Sequence, residues 1–152
     1  MFTVITLEQS SRLFKDFNIP TSLASCKTTV PAPHRTSGIA VVSLFTIDNI
    51  FEMLPKVVEI KGEDGTTDIY CLHIYCKTDI NGNMRWYGSY KSETYLENKH
   101  QSKIDIENKQ EADELVDVFY QMLLWWLETD PDKARPIQTD YNDCRIYNPP
   151  FH

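Results

Sequence analysis

The chain lacks the signatures by which most small enzymes and metal proteins announce themselves. It has only five glycines, none in a G-x-G-x-x-G or Walker pattern, so the usual phosphate cradles are excluded. No G-x-S-x-G elbow presents a serine nucleophile. Cys26, Cys71, Cys76 and Cys144 form no C-x-x-C pair, and the histidines lack the H-E-x-x-H and H-x-x-E-H spacings, so neither a metal nor a cofactor is expected. Apolar runs stay far short of the ~18 residues of a membrane span. The opening MFTVITLEQSSR has no basic stretch followed by an apolar core, so no secretory signal is read. Free thiols in a reducing cytoplasm are the expectation.

Basic residues are in deficit as well. Fifteen Lys and Arg face twenty-two Asp and Glu, a net charge of −7 with pI about 5.0. A phosphate backbone is held by clustered cations that displace counterions, so nucleic acid is disfavoured as a partner.

What is present is the inventory of one globular domain. At 152 residues with 41% hydrophobic content, the chain can bury roughly 68–70% of its unfolded surface around one core. Thr6 and Gln9 form a capping box that opens a helix over Leu7–Phe17, with Asn18 and Pro20 ending it. Ala24 to Val30 alternates as one weak strand. The continuous apolar run Ile39–Thr46 predicts a centrally buried strand. A short helix capped by Asp48, with Phe51 and Leu54 inward, is expected to end at Pro55. Lys56–Lys61 reads as β-rich before a turn at Glu63-Asp64-Gly65.

Asp68–Thr78 and Met84–Lys91 flank Asn81-Gly82, the dipeptide suited to a type I′ hairpin turn. Centring the turn there pairs Cys76 with Tyr87 and His73 with Tyr90. One face then carries Tyr70, Leu72, Ile74, Cys76 and Tyr87; the other is an aromatic face of Cys71, His73, Tyr75, Trp86 and Tyr90. A second hairpin from Glu93–Leu96 to Lys103–Ile106 is expected through Asn98–Gln101. Cys71 and Cys76 are five apart on one strand and so point to opposite faces.

A closing amphipathic helix is predicted over Asn108–Glu128, with Asn108 and Glu111 as capping box. Ala112, Leu115, Val116, Phe119, Met122, Leu123, Trp126 and Leu127 fill an arc of roughly 140°. The opposite ridge is Asp113, Glu114, Asp117, Gln121 and Glu128, and with Glu111 the segment holds five acids. Leu124 and Trp125 fall off the core arc beside that acidic ridge, as residues of an interface do. Residues 129–152 have no periodicity and end in an aromatic, Pro-bearing stretch with Tyr147 and Phe151, suited to docking in a groove.

One enzyme-like constellation can be assembled. His34-Arg35-Thr36 and His100-Gln101-Ser102 lie 66 residues apart as paired H-x-[ST] motifs. They resemble those of the two-histidine phosphoesterase superfamily, and the resemblance implies His34 and His100 as acid and base, with Thr36 and Ser102 binding a phosphodiester. The motifs depart from the family in their flanks, Pro33 and Ser37 for one, Lys99 and Lys103 for the other. The order of hairpin, strand and final helix also resembles the dimeric secretion chaperones of bacterial injection systems, without their diagnostic residues.

The expectation is therefore an α+β fold: a mostly antiparallel sheet packed against a long C-terminal amphipathic helix, with an N-terminal helix, one domain over 1–128 and an extended tail or strap over 129–152. The expected function is non-catalytic protein binding or self-association, as an adaptor, inhibitor or structural protein; a virus- or phage-encoded accessory protein fits the profile. Partner contact is expected at Leu124, Trp125, Glu114, Asp117, Tyr147 and Phe151. A second surface is the aromatic face of His73, Tyr75, Trp86 and Tyr90.

Overall fold

The hairpin turn decides which side chains face the core. In the computed structural model, which describes residues 3–31, 38–96 and 101–137 (backbone only for 93–96 and 101–104), strands β4 (Thr67–Thr78) and β5 (Met84–Leu96) are joined by the five residues Asp79–Asn83. Gly82 N donates to Asp79 O, Asp79 N donates to Asn83 O, and Gly82 alone in the loop has positive φ, at 85°. This is a type I turn followed by a left-handed glycine, not the expected type I′ turn. The Asp79 carboxylate holds it by accepting from Asn81 N, Asn83 N and the Asn83 amide. Register therefore runs Cys76↔Trp86, Tyr75↔Tyr87 and Leu72↔Tyr90, one residue away from expectation. Because strand side chains alternate, that one residue turns every β5 side chain to the other face of the hairpin.

β3 (Val57–Lys61), β4, β5, β6 (Gln101–Ala112) and the short β7 (Ala134–Pro136) form an antiparallel sheet in the order β6-β5-β4-β3-β7. Its inner face carries Val58, Ile60, Tyr70, Leu72, Ile74, Trp86, Tyr90, Ala112 and Ala134, all in or against the hydrophobic core. Helix α3 (Leu115–Glu128) lies on this face, and Gly88 of β5 sits beneath Val118 and Met122. The mixed α and β, antiparallel architecture is as expected. Placement of Trp86 and Tyr90 is not: both belong to the core side, and Tyr90 is fully buried with its hydroxyl donating to Pro55 O at 2.8 Å.

The closing helix is shorter than predicted. It starts at Leu115 with Glu114 as cap residue, and no side chain caps it. Asn108–Ala112 instead complete β6, and Asn108 adopts a φ of +53° where the β5–β6 register shifts between Gly88 and Tyr90. Asn tolerates this left-handed conformation, so the residue that resembles a helix cap serves a strand bulge. Only Ala112 among residues 108–113 is apolar, so a helix there would have buried almost nothing.

Helix α1 (Leu7–Asp16) carries the predicted Thr6–Gln9 capping box, Phe17 taking the C-cap. Helix α2 (Ile47–Met53) is capped by Thr46 and Asn49, not by Asp48: Asn49 N donates to Thr46 Oγ1 and Thr46 N to Asn49 Oδ1. Among the described residues β1 (Cys26–Pro31) pairs only with β2 (Ile39–Leu44), in a separate two-stranded ribbon. The predicted central strand is thus peripheral, with Ile39 and Val41 at 73% and 65% exposure. Only its end, Leu44–Phe45, enters the core, where Phe14 packs on Phe45 at 4.9 Å and Phe45 N donates to the Ser10 hydroxyl. The segment after Glu128, read as a tail, begins by returning to the sheet, where β7 pairs with β3. No described helix is long and apolar enough to cross a membrane.

Candidate functional site: the outer sheet face

The register that sends Trp86 and Tyr90 inward gathers a different set outward. Cys71, His73, Tyr75 and Lys77 of β4 stand with Arg85, Tyr87, Ser89 and Lys91 of β5 on the face opposite α3. None of these belongs to the hydrophobic core. Val57 and Ser89 are buried on this side, and exposure increases from them toward the hairpin loop.

Tyr75 and Tyr87 are cross-strand partners whose rings stack nearly parallel, with centroids 5.2 Å apart and an interplanar angle of 9°. Lys77 Nζ lies 5.7 Å from the Tyr75 centroid and 5.4 Å from that of Tyr87; Lys91 Nζ lies 5.1 Å from Tyr75. Each ammonium thus lies within reach of the ring quadrupoles. Among the described residues neither lysine forms an ion pair.

Arg85 is engaged differently. Its Nη1 lies 2.8 Å from Asp113 Oδ1 and its Nε 3.3 Å from Glu111 Oε2. Hydrogen bonding to Glu111, then the charges of both acids, raises the guanidinium above its usual pKa. Beside it an open cleft of about 670 Å³ is lined by Lys77, Thr78, Asp79, Asn83, Arg85, Tyr87 and Asp113, among others.

The expected aromatic face is therefore split: His73 and Tyr75 stand outward, Trp86 and Tyr90 inward. Tyr87 and Lys91, the missing members, become visible only when Asp79 rather than Asn81-Gly82 is taken as the register anchor. Leu124 and Trp125, expected off the core, pack against it, the Trp125 ring 5.9 Å from that of Tyr90. Glu114 occupies the N-cap position of α3 and Asp117 lies in its first turn, so the two acids sit at the favourable end of the helix dipole. Glu111 and Asp113 precede the helix and serve Arg85, while Glu128 bonds Arg12 of α1 at 3.0 Å. The predicted acidic ridge is thus divided among three structural jobs.

His34, Thr36 and His100, and Tyr147 and Phe151 of the terminal stretch, lie outside the described residues; Ser102 is placed only as backbone of β6. Among the described residues no cluster of His, Cys, Asp or Glu is arranged to hold a metal, and Cys26, Cys71 and Cys76 form no disulfide with one another. Comparison with protein-family models, with curated proteins and with solved structures finds no match for this chain.

Proposed function

We propose that this is a non-catalytic binding protein whose partner is a protein, engaged on the outer sheet face near the β4–β5 loop. The observation that carries this reading is the Tyr75–Tyr87 stack bracketed by Lys77 and Lys91 on the side the core does not use. A sheet already anchored by α3 on one face has no structural need for paired aromatics on the other. Tyrosine supplies broad, rigid contact area at low entropic cost, which is why it is enriched in binding surfaces.

The test is selection from a displayed peptide library. Peptides chosen by the parent protein are rescreened against Tyr75→Ala/Tyr87→Ala, with circular dichroism confirming that the variant folds. Loss of most selected peptides supports the reading. Undiminished binding by all of them would place recognition elsewhere and refute it.

A further inference from the structure

Among the described side chains of the outer face, Lys61, Lys77, Arg85, Lys91 and Arg135 stand against the carboxylates of Glu59, Glu111 and Asp113. The chain as a whole carries −7. Positive charge is therefore gathered on one side of an acidic molecule, and the complement of that side is an acidic ligand. One of these cations is already in use. Asp113 sits in the two-residue link between β6 and α3, its side chain 85% exposed, and still places Oδ1 2.8 Å from Arg85 Nη1.

We infer that the partner segment is an acidic peptide and that Asp113 stands in for one of its carboxylates, occupying Arg85 until the partner displaces it. The inference rests on the outer face being a protein-binding surface. Displacement is cheap because the Arg85–Asp113 pair is exposed at both ends, and such pairs contribute little to stability. The guanidinium then passes from one carboxylate to another with its geometry already set by Glu111. Lys77 and Lys91 supply the fixed part of the site, with their ammonium groups held over the rings. The same contacts argue against single-stranded nucleic acid, because the rings already stack on each other and carry ammonium groups where bases would need to lie.

Fluorescence anisotropy with a fluorescein-labelled deca-glutamate peptide at low salt tests this, with a deca-lysine peptide and an oligothymidylate of matching charge as comparison probes. Binding of the glutamate peptide should weaken about tenfold in Lys77→Ala/Lys91→Ala. Asp113→Asn should tighten it by roughly two- to fivefold, and Arg85→Ala should abolish that gain. No change or weaker binding in Asp113→Asn overturns the inference, as does an unchanged affinity in the double lysine variant. Tighter binding of oligothymidylate through the same residues assigns the face to nucleic acid and overturns it too. The library selection separates the two levels. Peptides that depend on Tyr75 and Tyr87 but carry no acidic residues leave protein binding standing and remove this inference; no dependence on the tyrosines removes both.

Discussion

Gly88→Ala is the sharpest probe of how α3 is seated. Gly88 pairs with Ile74 and Gln110 in the middle of the sheet, directly beneath the helix. A methyl group there would overlap Met122 Sδ and stand 2.7 Å from Val118 Cγ1 and 3.0 Å from Ile74 Cδ1. The thioether end of Met122 can swing aside, but Val118 is β-branched and held to one helical rotamer, so either α3 lifts or β5 bends. Overpacking of this kind costs about 1–3 kcal/mol, offset by about 0.4–1 kcal/mol from the lost freedom of glycine in the unfolded chain. A net loss of about 1–2 kcal/mol is expected, a fall in Tm of roughly 2–8 °C for a chain of this size. Urea unfolding followed by tryptophan fluorescence measures it, since Trp86, Trp125 and Trp126 all border the core. Val118→Ala alone should also destabilise, by leaving a cavity, but the two changes together should be less harmful than their sum by about 1 kcal/mol or more. A Gly88→Ala protein within about 0.5 kcal/mol of the parent, or strict additivity in the cycle, would refute the close approach of α3 to β5.

Other consequences follow from local contacts. Tyr90→Phe leaves the Pro55 carbonyl without its donor and should cost about 1–2 kcal/mol. Burial raises the Tyr90 pKa far above its ordinary 10.0, so the native phenol stays protonated while the unfolded one ionises. That stabilisation is complete below about pH 10 and declines as pH rises further. Melts between neutral and alkaline pH should show a shallower decline in Tyr90→Phe, though not its disappearance, because Tyr70 and Tyr120 are raised by burial too. Thr46→Ala should lower stability by about 1 kcal/mol, whereas Asp48→Ala should change it by less than about 0.5 kcal/mol; equal effects in chemical denaturation would mean that Thr46 is not the cap. Trp125→Ala removes a ring packed against Tyr90 and should cost about 2 kcal/mol; a variant that melts like the parent yet loses partner binding would return Trp125 to the interface.

Features decided within three or four residues were legible in the sequence. The Thr6–Gln9 box opens α1 and the hairpin loop falls at Asn81-Gly82, because each depends on hydrogen bonds between near neighbours. Even here chemistry that looked equivalent was not. Asp79, with three bonds to its carboxylate, displaced the register by one residue, and Asn108 placed its left-handed backbone in a bulge instead of at a helix start. The apolar run at Ile39–Leu44 had the composition of a central strand but, among the described residues, has only β1 beside it. The turn grouped the side chains into two sets, but which set was buried was decided by elements distant in the chain: α3 lies over the side of Trp86 and Tyr90 and leaves Tyr75, Tyr87, Lys77 and Lys91 outside. A pattern of residues sets how the chain is able to hydrogen-bond locally; the burial of apolar area, shared among segments far apart in sequence, selects which face becomes the interior and which is left for a partner.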